Sequence, residues 1–148
     1  MVDPRVQPPA APITGLSHVQ LLVSDLDASA SWYTTVLGLV PYVEDRALGY
    51  VALRHRGARM VVVLTTGSGA GSPPGPGPKP GPSGTLDHLA FAVPDGATLA
   101  DWADHLTRMG VVHPGVVLEN GNPTLQLRDP DGIAIELVAP GVRRVPEN

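Results

Sequence analysis

The chain has 148 residues, 43% hydrophobic and 16% charged, with a formal net charge of −4 and no cysteine. That is enough chain for one domain with a real core, and it excludes a disulfide frame or any thiolate-held metal. No basic cluster extends beyond Arg143-Arg144, no run approaches a membrane span, and Met1 to Pro12 lacks the apolar core of a secretory signal; nucleic-acid binding, membrane insertion and export are not expected, and the default compartment is the cytoplasm.

Residues 1–12 read as a disordered lead-in. From Ile13 to Val23 the chain reads as a strand. Ser24-Asp25-Leu26-Asp27 offers an N-cap, Trp32, Tyr33, Val36 and Leu37 form an apolar helical stripe, and Gly38 stops the helix. Strands are expected near Leu39 to Val43, Leu48 to Arg54 and Ala58 to Leu64. Residues 67–84 contain only Gly, Ser, Ala, Pro and Lys79 and read as a flexible linker. The second half repeats the order: a strand over Leu86 to Val93, then a helix with Leu99, Trp102, Ala103, Leu106 and Met109 on one face, closed by Gly110. Strands follow near Val111 to Leu118, Thr124 to Arg128 and Ile133 to Val138, and residues 141–148 form a tail. The folded part is thus a single α+β domain over 13–140, with module one at 13–66 and module two at 85–140.

From Leu16 to Trp32 the first half aligns with Leu86 to Trp102 of the second without gaps. Leu16-Ser17-His18 falls on Leu86-Asp87-His88, Val23 on Val93, Asp25 on Asp95, Ala30 on Ala100 and Trp32 on Trp102. A repeat of this kind is one supersecondary unit used twice, so His18 and His88 hold the same structural position. Strand alternation puts His88, Ala90 and Ala92 on one face and Leu89, Phe91 and Val93 on the other. In the last strand Ala134, Glu136 and Val138 oppose Ile133, Ile135 and Leu137. Asp129-Pro130-Asp131-Gly132 has the composition of a type I turn. As a three-residue hairpin with a Gly bulge it sets Asp129 against Ile133, Gln126 against Glu136 and Arg128 against Ala134.

Two histidines and one carboxylate converging on one point read as a divalent-metal site with open positions, so His18, His88 and Glu136 are the expected ligands. Aligning Gly57 with Gly132 puts Val61 where Glu136 lies in module two, and no carboxylate occurs from Ala58 to Leu64. Three protein ligands are therefore expected, not four. Gln126 and Arg128 fall on the same face, Arg128 being either a mouth residue for anionic groups or a surface charge. His113 is a candidate acid or base beside the ligands. His55 is expected to be solvated, and His105 to border the polar side of its helix. Tyr42 and Tyr50 either line the cavity or pack.

Gly15-Leu16-Ser17-His18-Val19-Gln20-Leu21-Leu22-Val23, with Asp25-Leu26-Asp27, Trp32-Tyr33 and Val36-Leu37-Gly38-Leu39, resembles the opening module of the vicinal oxygen chelate superfamily, the glyoxalase, bleomycin-resistance and extradiol-dioxygenase group. Asp129-Pro130-Asp131-Gly132-Ile133-Ala134-Ile135-Glu136-Leu137 resembles its closing hairpin. The resemblance implies two βαβββ modules forming a curled mixed sheet around a central metal, held by His18, His88 and Glu136. It implies a small-molecule substrate and a homodimer, with the site built within one chain or across subunits. Lacking the fourth carboxylate, the pattern matches extradiol dioxygenases and fosfomycin-modifying transferases better than glyoxalase I. The expected function is a metal-dependent enzyme acting on a small oxygenated molecule, with Fe(II) dioxygenation favoured. A lyase, isomerase or epoxide-opening transferase using Mn(II), Ni(II) or Zn(II) is the alternative. An antibiotic-binding resistance protein without turnover is the second alternative, disfavoured by 4% aromatic content.

Overall fold

A computed structural model describes residues 15–67 and 86–141. The expected lead-in, nearly all of the expected linker and the tail lie outside the described residues. The order of elements is β1 (Val19–Leu22), α1 (Leu26–Thr35), β2 (Val40–Asp45), β3 (Tyr50–Arg54) and β4 (Val61–Thr65), then β5 (Leu89–Ala92), α2 (Gly96–Arg108), β6 (Val116–Glu119), β7 (Asn122–Arg128) and β8 (Ala134–Val138). This is the expected pair of βαβββ modules.

The repeat extends to the helix caps. Asp25 caps α1 by accepting from the Ala28 N–H at 2.9 Å, and Asp95 caps α2 by accepting from the Thr98 N–H at 2.7 Å. Each aspartate satisfies an otherwise orphaned first-turn donor. The hydrogen bonds to Thr98 hold the Asp95 carboxyl below its ordinary value. Gly38 and Gly110 end the two helical segments with positive φ, 69° and 70°, a backbone conformation that costs glycine little.

Each module forms its own four-stranded mixed sheet, ordered β1-β4-β3-β2 and β5-β8-β7-β6. In each, the first strand runs parallel to the fourth and the rest are antiparallel. The side chains alternate as expected. Leu21, Val51, Leu53, Val62 and Leu64 are buried in module one, and Leu125, Leu127, Ile135 and Leu137 in module two, together with Tyr33, Leu99 and Leu106 from the helices. Burial of these side chains is the main stabilising term, about 1.5–3 kcal/mol for each large aliphatic one. The two sheets are not hydrogen-bonded to one another.

Three expectations change. The segment Val111 to Gly115 is not strand; Pro114 removes a donor and Gly115 sits at φ 83°, so β6 begins only at Val116. Met109 caps α2 and is 43% exposed rather than packed. The residue equivalent to Glu136 is Val63, not Val61. Gln20 pairs with Val63 as its repeat partner Ala90 pairs with Glu136. The turn over 55–60 is one residue longer than that over 129–133. Gly57 does not share the positive φ of Gly132, 81°, so the two glycines are not equivalent. The absence of a fourth carboxylate holds at either position.

The modules are tied together through polar groups. Tyr33, fully buried on α1, donates its O–H to Asp129 Oδ2 at 2.9 Å, across to the β7–β8 turn. Burial, then the Asp129 charge, push the Tyr33 phenol far above its ordinary value. His105, expected to border the polar side of its helix, is half-buried with Nε2 2.8 Å from the Val36 carbonyl oxygen. Asp131 accepts from the Ser24 N–H at 3.1 Å and from Ser29 Oγ at 3.5 Å. The Ser24 bonds first, then Ser29, hold its carboxyl below the ordinary 3.8. A carboxyl depressed on folding contributes stability above its unfolded pKa and loses it as pH falls through the folded value. Replacing Asp131 by Asn is therefore expected to flatten the decline of melting temperature below about pH 4. A decline as steep as wild type would show that other carboxylates carry it.

Candidate metal centre

Glu136 stands on β8 between two neighbours in register: Ala90 of β5 on one side and Gln126 of β7 on the other. Its side chain is 13% exposed, an unusual place for a carboxylate without a function. Gln126 Nε2 donates to Glu136 Oε1 at 3.2 Å and also to Glu119 Oε2 at 3.2 Å. The other oxygen, Oε2, faces His88 Nε2 at 3.5 Å. His88 lies just before β5, and its Nδ1 contacts Asp87 Oδ2 at 2.8 Å.

This spacing has a chemical meaning. A carboxylate accepts only, so the Asp87 contact puts the proton on Nδ1. A neutral His88 then turns the lone pair of Nε2 toward an anionic oxygen, and two acceptors facing each other call for a cation between them. A proton is one answer: the Asp87 hydrogen bond first, then the Glu136 charge, hold the imidazolium above its usual range. A divalent ion is the other. With bonds of about 2.1 Å and angles between octahedral and tetrahedral, two donors on one metal sit roughly 3.0–3.4 Å apart, close to the separation found. The nitrogen and oxygen donors present fit such an ion.

The third expected ligand is elsewhere. His18 is exposed, with Nδ1 3.1 Å from Ser17 Oγ, and lines a cavity of about 530 Å³ between the modules. His88 and Glu136 line a different cleft of about 1240 Å³. Among the described residues, no three His, Asp or Glu side chains are grouped to hold one metal ion.

The remaining candidates are placed as follows. Arg128 lines the His88 cleft, but its Nη1 donates to the Gly132 carbonyl at 2.7 Å. His113 lines the same cleft with both ring nitrogens engaged: Nδ1 accepts from the Gly115 N–H at 3.2 Å and Nε2 contacts Thr107 Oγ1 at 2.9 Å. His55 is exposed, as expected. Tyr42 is 46% exposed with the Arg54 guanidinium over its ring, and Tyr50 is half-buried. Sequence reasoning missed Glu119, Asp87 and Ser17. The last two had a signal: they are the residues preceding the repeated histidines.

The sequence profile described as the Glyoxalase/Bleomycin resistance protein/Dioxygenase superfamily matches residues 15–137. The chain belongs to that superfamily. Among solved structures it is similar to a glyoxylase/bleomycin resistance protein/dioxygenase domain from Frankia sp. EAN1pec, at 26% identity, TM-score 0.67, covering 90% of this chain and 96% of that one. It is also similar to a lactoylglutathione lyase from Agrobacterium tumefaciens, at 22% identity and TM-score 0.68, with 87% and 96% covered. A third neighbour is the fosfomycin resistance protein FosX from Listeria monocytogenes, at 17% identity and TM-score 0.64, with 88% and 97% covered. The last two likenesses show the shared fold. No curated protein matches this chain.

Proposed function

We propose that this protein is a divalent-metal-dependent enzyme acting on a small molecule with two neighbouring oxygens, and that its site is completed across a homodimer. The observation that carries the reading is the 3.5 Å approach of His88 Nε2 to Glu136 Oε2, a facing pair of metal donors on adjacent strands. His88 and Glu136 of one subunit hold the ion together with His18 of the partner subunit. Three features support completion in trans. His18 and His88 are repeat-equivalent but line separate cavities. The inter-module bonds of Tyr33, Asp131 and His105 fix the modules in that arrangement. The sheets also leave apolar side chains exposed, with Leu22 at 68% and Leu118 at 77%. A half-covered sheet needs a second layer, and a second copy supplies the complementary module.

A bound divalent ion would supply a Lewis acid for substrate oxygens, with coordination positions free beyond the three protein ligands. Gln126 keeps Glu136 Oε1 occupied so that Oε2 stays on the metal side. Arg128 borders the cleft as a contact for substrate. Two histidines and one carboxylate suit Fe(II), so dioxygenation is the first reaction to test, and Mn(II), Ni(II) or Zn(II) would serve a redox-neutral lyase, isomerase or epoxide-opening reaction. Asp87 and Glu119 place negative charge beside His88 and Glu136, which disfavours a phosphonate dianion. Trp32 is the one Trp, Tyr or Phe lining this cleft among the described residues, a poor surface for sequestering a flat antibiotic by stacking.

The test is anaerobic titration of metal-stripped protein with Fe(II), Mn(II), Ni(II) and Zn(II), then oxygen uptake by the Fe(II) form with a catechol panel. One tight ion per chain with Fe(II)-dependent oxygen consumption is the expected result. Binding without oxygen uptake moves the reading to Lewis-acid chemistry, and no binding of any of the four ions overturns it.

A further inference from the structure

We propose that Asp87 and Ser17 are positioning residues that fix the imidazole tautomers of His88 and His18, so that Nε2 is the ligating nitrogen at both. The inference rests on the metal reading above and goes beyond its ligand set. Two independent contacts carry it. In module two Asp87 Oδ2 lies 2.8 Å from His88 Nδ1, and in module one Ser17 Oγ lies 3.1 Å from His18 Nδ1. The contact is made by the same repeat position, to the same ring nitrogen, with different chemistry. Residues 17 and 87 both lie just outside the ladders of β1 and β5. There the strict alternation of faces is relaxed, and a side chain can meet the ring of its neighbour.

The consequence follows from donor and acceptor inventory. An imidazole ligates through the nitrogen that lacks a proton, and which one that is depends on the bond made by the other. Asp87 can only accept, so it fixes the proton on Nδ1 and aims the Nε2 lone pair at Glu136. A carboxylate behind a metal-binding histidine also raises the basicity of the ligand. Ser17 can donate or accept, so it orients His18 without imposing the tautomer as strongly. Asp87 is 95% exposed and has no other hydrogen-bond partner among the described residues, so stability gives no reason for its placement.

The test uses the full chain with Asp87→Ala, Asp87→Asn and Ser17→Ala. Proton–nitrogen correlation spectra of the metal-free proteins, in mildly alkaline solution, report the tautomer of each histidine. Zinc titration reports the affinity, and circular dichroism confirms the fold. Wild-type His88 is expected as the Nδ1–H form. In Asp87→Ala it becomes a mixture with the Nε2–H form, and zinc binds about 10- to 100-fold more weakly. Asp87→Asn keeps an accepting oxygen and recovers the tautomer and much of the affinity. Ser17→Ala produces a smaller change, confined to His18. An unchanged His88 tautomer or an unchanged zinc affinity in Asp87→Ala overturns the proposal. Failure of wild-type protein to bind zinc, Fe(II), Mn(II) or Ni(II) would count against the metal reading instead, and the tautomer comparison would still decide whether Asp87 places the proton.

Discussion

Replacing Asp129 by Ala is expected to destabilise the protein by about 3 kcal/mol, the largest effect of any single change at a polar residue. Asp129 is 5% exposed. Its Oδ1 accepts from the Asp131 N–H at 2.9 Å and the Ile133 N–H at 2.8 Å, shaping the β7–β8 turn, while Oδ2 accepts from Tyr33. Alanine removes the acceptor for all three donors. The Tyr33 hydroxyl lies in a fully buried side chain, and a stranded buried donor costs about 1–3 kcal/mol. The two backbone donors are nearer to solvent and add less. For a chain of this length the fall in melting temperature is roughly 10 °C. Tyr33→Phe removes one donor and is expected to cost about 1–2 kcal/mol. The two changes share a bond, so the double variant should cost less than the sum of the singles. Thermal unfolding of the four proteins measures this. Additive losses would show that Tyr33 and Asp129 act separately, and a negligible loss in Asp129→Ala would remove the turn from the module junction.

That junction was the least legible part of the chain. The element order, the cap at Asp25, the faces of β5 and β8 and the pairing of Gln126 with Glu136 follow from local signals: period, capping residues and turn composition. Asp129 was legible only as a turn residue, because its partner Tyr33 lies 96 positions away and no local pattern links them. Tyr33 read as one more member of an apolar stripe, its hydroxyl demanding a partner that the sequence does not name. The partner of His105 was hidden for the same reason: it is a backbone carbonyl on the other module. The candidate site divides in the same way. His88 and Glu136 meet because parallel pairing of β5 with β8 is a property of one module. The position of His18 depends on how two modules sit against each other, or against a second chain, and the repeat carries no information on that choice. The misplacement of Val61 has a smaller cause. Two turns of unequal length were aligned on their glycines, only one of which has the left-handed conformation that makes glycine informative.

Mixing two variants that each lack one proposed ligand should restore metal binding if the site is shared between chains. His18→Ala and Glu136→Ala each leave every site of a homodimer with two ligands out of three, and binding by either alone is expected to fall by more than the roughly 100-fold that marks loss of an outer partner. Neither residue is in the core: His18 is exposed and Glu136 lines the His88 cleft, so both variants should fold. In a mixed dimer, the Glu136→Ala chain contributes an intact His18 to the His88 and Glu136 of the His18→Ala chain. That site is whole, while the other lacks two ligands. Half of the wild-type metal content is therefore expected in dimers purified through a different tag on each chain. A site closed within one chain gives no recovery on mixing, because each chain remains defective in itself. The inter-module bonds argue for recovery. Rotating one module to bring His18 to His88 within a chain would break the buried Tyr33–Asp129 bond and the contacts of Asp131 and His105. Association with a second copy would leave those bonds in place while bringing His18 of the partner subunit to the cleft.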